Sequence, residues 1–330
     1  MKGSDQEIEI KKAGLPKVTV LMATWNGENF LTQQLDSVLQ QKAVDVSLYV
    51  RDDRSTDETV AIIKKYANET GKVFLLDTVP VQLKAAKNFM SLVRDVDLSQ
   101  TDYIAYCDQD DIWLPDKLNA AISAISEHKV DCYASNLLMG DAEAKLVTEK
   151  SLLSRLLSYI FNYKVNTQKP YDFYFEAASA GCTLVLNKVA ALYLQKMLTE
   201  LFDRIPENAS HDWSTYAITR LNGFNWYIDN KSYIIYRQHA ENAYGANLGW
   251  QAVSKLVDLF KSGWYRRHII MIDELYNRSH THPPFINMVK EYQHSSIISR
   301  FRMAFAVSRY RRKWVHRVML FLLIIFGYCR

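Results

Sequence analysis

The sequence predicts an α/β fold: a mostly parallel sheet assembled from strand and helix units, followed by a helical C-terminal extension. From residue 18 onward, apolar runs of strand length alternate with segments of helical period, the pattern that βα units impose. Three of those runs end in polar clusters, "TWNG" at 24–27, "RDDRSTD" at 51–57 and "DQDD" at 108–111. An α/β sheet binds its ligands beyond the carboxyl ends of its strands, so this convergence marks a site. With 330 residues, 48% hydrophobic and 23% charged, the chain can bury a full core and is neither disordered nor fibrous.

"VTVLMA" (18–23) opens as a strand, and "ENFLTQQLDSVLQQ" follows as a helix with Phe30, Leu31, Leu35, Val38 and Leu39 on one side. "VSLYV" (46–50) is the second strand. Ser55 to Glu58 have the S-x-x-E form of a capping box, which predicts a helix opening there with Val60, Ile63 and Tyr66 on one face. "VFLL" (73–76) is a third strand, "AAKNFMSLVRDV" a third helix and "YIAYC" (103–107) a fourth strand. After the acidic cluster, Pro115 suits the first turn of a helix that carries Leu118, Ile122 and Ile125. "CYASNLLM" (132–139) is a further strand. Past 150 the rhythm loosens: a helix in "SLLSRLLSYIFNY", a strand in "CTLVL" (182–186), helices in "NKVAALYLQKMLTEL" and "DWSTYAITRLN", and two short strands in "FNWYI" and "YIIYR". Residues 247–296 read as helical, and no repeat of 20 to 50 residues recurs.

Charge is unevenly placed. Net charge is +4, yet residues 292–330 hold eight Lys or Arg and no acid, so the first 291 carry 32 basic against 36 acidic side chains. Basicity is a property of the tail. Cys107, Cys132, Cys182 and Cys329 form no C-x-x-C pair, which speaks against a zinc site or a disulfide framework. The polar N-terminus lacks the apolar segment of a secretory signal, and a cytoplasmic location is the expectation.

Asp108, Asp110 and Asp111 crowd like charge at the end of a buried strand. Such carboxylates repel and raise one another's pKa, so a hard divalent cation or basic neighbours should accompany them. An EF-hand loop starting at Asp108 fails, because Ile112, Trp113 and Asn119 stand where oxygen, Gly and Glu are needed. A haloacid-dehalogenase-type phosphatase lacks its Thr or Val after the acidic pair. The dinucleotide motif needs three glycines after the first strand, where "TWNGEN" has one, and a P-loop is absent. Capping of the following helix by solvated acids stays open as the plain alternative.

"VTVLMATWNGENFLTQQLDSVLQQ", "VRDDRSTDETV", "YCDQDDIWLPDKL", "HDW" (211–213) and "YRQHAENAYG" (236–245) occur in the order of glycosyltransferase family 2. The chain resembles that family of inverting enzymes, from residue 17 to about 246. The resemblance implies a GT-A nucleotide-diphospho-sugar transferase fold, with a Rossmann-like sheet. It divides the chain into a polar tail (1–16), a catalytic domain (17–246, with a nucleotide-sugar half 17–140 and an acceptor half 141–246) and a helical region (247–330). "DQDDIW", "HDW" and "YRQHxxN" look most like rhamnosyltransferases of Gram-positive cell-wall and capsular polysaccharides. That implies a dTDP-L-rhamnose donor and a lipid-linked saccharide acceptor. A different nucleotide sugar, of the UDP-glucose or UDP-galactose type, and a non-catalytic nucleotide-sugar-binding scaffold are the alternatives.

Carried over by position, Thr24, Asn26, Asp52 and Asp53 would hold base and ribose, Lys87 and Asn88 the donor, and Asp108 the ribose side. For Asp53, capping a helix at 55 is an equal alternative. Asp110, with Asp111, would hold Mg²⁺ or Mn²⁺ on the diphosphate, Arg237 would meet the diphosphate and His239 complete the metal shell. Asp212 is the candidate base for the acceptor hydroxyl, the one protein group that inversion requires. His211 and Trp213 would orient the acceptor above a floor containing Gly181.

In 297–330 basic residues accompany an apolar run, "VMLFLLIIF", that is too short to span a bilayer. The expectation is a peripheral attachment to an anionic membrane surface at the inner face of the cell membrane, with no nucleic-acid partner. Packing on the catalytic domain or on a partner is the alternative, and association of the chain with itself as a homo-oligomer stays open.

Overall fold

A computed structural model describes residues 14–147, 167–206, 209–239, 258–278 and 297–326. Eight strands form one sheet in the order β3-β2-β1-β4-β7-β6-β8-β5. They are β1 (Lys17–Thr24), β2 (Asp45–Asp52), β3 (Val73–Leu75), β4 (Tyr103–Cys107), β5 (Ile112–Trp113), β6 (Cys132–Gly140), β7 (Val185–Asn187) and β8 (Trp226–Arg237). Parallel pairing joins β1 to β2 and β4, β2 to β3, and β6 to β8. β7 runs antiparallel to both β4 and β6, and β5 antiparallel to β8. The sheet is therefore mixed: β1 to β4 run parallel, as expected, and β6 and β8 join them through one reversed strand, β7.

The helices are α1 (Glu28–Leu39), α2 (Thr59–Thr70), α3 (Lys84–Asp95), α4 (Lys117–His128), α5 (Lys188–Leu201), α6 (His211–Leu221), α7 (Trp264–Arg278), α8 (Ile297–Phe305) and α9 (Trp314–Ile325). Side chains of β1 alternate between two cores, as the strand period of two requires. Val18, Val20 and Met22 pack with Leu31, Leu35 and Val38 of α1, whereas Leu21 and Ala23 pack with Phe89 and Val93 of α3. Helices thus cover both faces, and the strand ends are left to hold polar groups.

Four local expectations change. β8 is a single strand where two were expected, because parallel pairing with β6 runs from Cys132↔Trp226 to Gly140↔Arg237 past two register shifts. "CTLVL" begins as a 3₁₀ turn, Gly181–Thr183, before β7. β5 was not foreseen; it is two residues long and exists through antiparallel pairing with β8. Pro115 precedes α4 instead of lying within its first turn. The expected helix in "SLLSRLLSYIFNY" lies outside the described residues, as does much of 247–296.

The C-terminal helices dock on the domain. Tyr310 is fully buried, with its ring centroid 5.4 Å from that of Phe175. Arg312 is buried beside Glu176, Nε to Oε1 3.0 Å, and Asp172, 3.6 Å. Two charges that the sequence offered to a membrane, Arg311 and Arg312, are committed to the interior instead.

Candidate active site

The ends of β1 and β2 lie in register, Thr24 opposite Asp52. The Thr24 hydroxyl donates to Asp52 Oδ1 (3.0 Å), and Ser55 donates its N–H to Oδ2 (2.7 Å) and its hydroxyl to Oδ1 (2.5 Å). This engagement removes Ser55 from the expected capping box, and α2 starts four residues later, at Thr59. Asn26 takes a left-handed φ of 46°, which Asn tolerates, and its Oδ1 accepts the Thr56 N–H at 2.8 Å.

Asp53 accepts the backbone N–H groups of Leu83 and Lys84, both at 2.7 Å. It therefore holds the entry to α3, not the helix after 55. Asn88 is buried; its Nδ2 donates to the Arg51 carbonyl (2.9 Å) and its Oδ1 has no hydrogen-bond partner among the described residues. The Lys87 ammonium stands 5.8 Å from the Phe202 ring centroid. Asp52 and Asp53 thus frame the nucleotide-side loops with both of their oxygens.

Gln109 ties the acidic turn to β1: its Oε1 accepts the Trp25 N–H (2.8 Å) and its Nε2 donates to the Trp25 carbonyl (2.9 Å). Potential ligand atoms of Asp108, Asp111 and Cys182 lie within 4.8 Å of one another. Asp110 Oδ2 is 2.8 Å from His239 Nε2. Arg237 closes the arrangement from β8, donating its N–H to Asp111 Oδ1 (3.3 Å) and Nε–H to the Asp110 carbonyl (2.7 Å). Its guanidinium also bonds Gln33 and the Ala142 carbonyl, and it lies 4.8 Å from the Phe30 ring centroid.

Burial, with Asp110 adding charge repulsion, pushes Asp108 up to about 7. Burial and then Asp108 and Asp110 hold Asp111 well above the usual carboxylate range. Crowded carboxyls of this kind exchange protons for a hard cation. The donor set fits Mg²⁺ or Mn²⁺: Asp111 Oδ2 is buried without a hydrogen-bond partner among the described residues, whereas the Cys182 thiol, pushed well up by burial, is a poor ligand for such an ion. Behind the cluster, Lys117 is buried with its ammonium 3.4 Å from the Trp113 ring centroid and without a hydrogen-bond partner among the described residues. Burial pulls it down to about 8. Sequence reasoning missed Lys117, although a lysine on the apolar side of α4, beside Leu118, was a usable signal.

On the acceptor side, α6 begins with His211, Asp212 and Trp213. Asp212 Oδ1 accepts the Ser210 hydroxyl and the Trp213 N–H (2.7 Å); Oδ2 takes no hydrogen bond from the described residues. One oxygen is held and the other is available. The His211 ring stacks on Phe89, centroids 4.2 Å apart, and meets Tyr106 edge-on at 5.3 Å. A Cβ on Gly181 would overlap this ring, so the glycine is required by the close approach. Burial lowers the pKa of His211, keeping it neutral, and its Nε2 is buried without a hydrogen-bond partner among the described residues.

Trp213 is itself a core residue, its indole N–H bonded to the Phe173 carbonyl, so it supports Asp212 from beneath and does not face an acceptor. Its ring lies face to face with His268 of α7, centroids 4.6 Å apart and planes 4° from parallel. His268 Nε2 accepts the Ser210 N–H (3.1 Å) while Nδ1 bonds the Trp264 carbonyl (2.9 Å), which fixes one neutral tautomer. Burial pulls His268 down to about 4. No motif marked His268, because it acts on the site through Ser210 from a helix more than fifty positions away.

The sequence profile of Glycosyl transferase family 2 matches residues 19–188. The dTDP-rhamnosyl transferase RfbG of Shigella flexneri is 35% identical over 252 residues, 76% of this chain and 83% of that protein. A glycosyltransferase of Haemophilus influenzae is 29% identical over 43% of this chain and 56% of its own length. The crystal structure of S. aureus TarS 1–349 in complex with UDP superposes with a TM-score of 0.51 at 15% identity, covering 95% of this chain and 89% of that one. That likeness supports the GT-A fold of the sheet and its helices. By its profile match and by its identity to RfbG over most of both chains, this protein belongs to glycosyltransferase family 2.

Proposed function

We propose that this glycosyltransferase moves L-rhamnose from dTDP-β-L-rhamnose, with inversion, onto a lipid-linked saccharide in cell-wall or capsular polysaccharide synthesis at the inner face of the membrane. The observation that carries the donor is the 35% identity to a dTDP-rhamnosyl transferase across 83% of its length. Thr24, Asn26, Asp52 and Asp53 frame the nucleotide side through the loops that they hold, and Asp108 opens the acidic turn beside them. Asp108, Asp110, Asp111 and His239 are the groups that would hold the divalent ion, and a bound Mg²⁺ or Mn²⁺ supplies Lewis-acid stabilisation of charge on the departing diphosphate.

Asp212 accepts the proton of the attacking hydroxyl through Oδ2, while Oδ1 stays fixed by Ser210 and the Trp213 N–H. A carboxylate is a weak base toward an alcohol, so proton transfer is late, after charge has developed at the sugar. Neutral His211, wedged between Phe89, Tyr106 and Gly181, orients the start of α6 and does not compete as a base. Inversion requires no protein nucleophile, only a base for the acceptor hydroxyl.

The test is nucleotide release from dTDP-L-rhamnose, UDP-glucose and UDP-galactose with Mg²⁺ or Mn²⁺ and a lipid-linked acceptor. Release from dTDP-L-rhamnose alone supports the proposal. Release from a UDP-sugar instead reassigns the donor, and release from none removes the catalytic reading in favour of a binding scaffold.

A further inference from the structure

Helices α8 and α9 carry an apolar face that none of the described residues covers. On α8, Ile297, Phe301 and Phe305 are exposed at spacings of four, and on α9, Trp314, Val318 and Leu322 repeat the spacing. Phe305, 75% exposed, meets Phe321 of α9 with centroids 5.8 Å apart, so the two stripes join. Scattered surface hydrophobics are ordinary; two joined stripes of large side chains mark a contact surface. No Asp or Glu occurs from 297 to 330, and exposed Arg302 and Arg309 belong to the same helical unit.

This unit does not hang free. Arg312 donates to the carbonyls of Ala177 and Ala178 and pairs with Glu176, and that segment runs directly to Gly181 beneath His211. We propose that α8 and α9 form a docking platform for an anionic lipid surface, fixed through Arg312 to the acceptor-side segment. Aromatic and aliphatic side chains enter the boundary between headgroups and acyl chains, while arginines meet lipid phosphates. A second copy of the same acid-free face would set arginine against arginine, so charge favours lipid over self-association. The proposal rests on the reading of a lipid-linked acceptor and names the surface that would bring it to the site.

The test sediments the full chain with vesicles of equal parts phosphatidylglycerol and phosphatidylcholine, and with phosphatidylcholine alone. Wild type should pellet with the anionic vesicles only. Phe305→Glu with Trp314→Glu should weaken that binding at least about tenfold, from the lost burial of two anchors, and leave dTDP binding unchanged. Undiminished pelleting of the variant, or no pelleting of wild type, overturns the proposal. So does a wild-type dimer, measured by light scattering, that the variant converts to monomer. Vesicle binding without turnover of any nucleotide sugar would count against the transferase reading and leave the platform standing.

Discussion

His239 Nε2 stands 2.8 Å from Asp110 Oδ2, joining the end of β8 to the acidic turn across 129 positions of sequence. The Phe30 ring, centroid 4.4 Å from that of His239, fixes the imidazole from the other side. In the proposed metal site, a histidine so placed would either ligate the ion or orient Asp110. His239→Ala should weaken Mn²⁺ binding, measured by calorimetry, by about 10–100-fold. Unaltered affinity would separate His239 from the metal shell.

Asp111 distinguishes a metal ligand from a loop-shaping residue. Its carboxyl is held well above the usual carboxylate range by burial and by Asp108 and Asp110, and Asp111→Asn removes its charge at nearly constant shape. Metal-free stability should change by less than about 1 kcal/mol. The rise in melting temperature on adding Mn²⁺ should fall sharply. A full metal-induced rise in the variant would leave Asp111 a loop-shaping residue, through its bond to the Arg237 N–H.

Asp212→Asn keeps an acceptor for the Ser210 hydroxyl and the Trp213 N–H but supplies no base. Loss of kcat by about 10²–10⁴-fold is expected, with the donor dissociation constant unchanged. Turnover equal to wild type would return Asp212 to its structural role at the start of α6.

His268 gives a pH signature. Its folded pKa of about 4 lies below the ordinary 6.5, so the unfolded chain binds the proton first. The stabilisation is therefore complete above pH 6.5 and is lost as pH falls toward 4, amounting to about 3 kcal/mol. Urea denaturation of wild type and His268→Gln between pH 7 and 4 should give the wild type the steeper loss. Parallel curves would show that His268 is not neutral in the fold.

The nucleotide half was legible because each strand and helix carries its own period and each site cluster follows its strand directly. Thr24, Asp52, Asp108 and Asp110 could be placed from sequence for that reason. The acceptor half was less so. β5 depends on β8 for its existence, and β8 runs on through "DNKS", which reads as a turn until pairing with β6 is known. The capping box at Ser55 was a correct local pattern overridden by a longer-range partner, Asp52. Trp213 looked like a ligand contact beside Asp212, but helical geometry turns it toward Phe173 and His268. Arg312 was counted as surface charge because its partners, Glu176 and Asp172, lie some 140 positions earlier.

Inverting transfer of rhamnose is tested most directly by the anomeric configuration of the new linkage, read by NMR from the one-bond carbon–hydrogen coupling at C1. With dTDP-β-L-rhamnose, Mn²⁺ and a lipid-linked saccharide, an α-L-rhamnoside should form with wild type and fail to accumulate with Asp212→Asn. A β-L-rhamnoside, or equal product from both proteins, would contradict a single displacement assisted by Asp212.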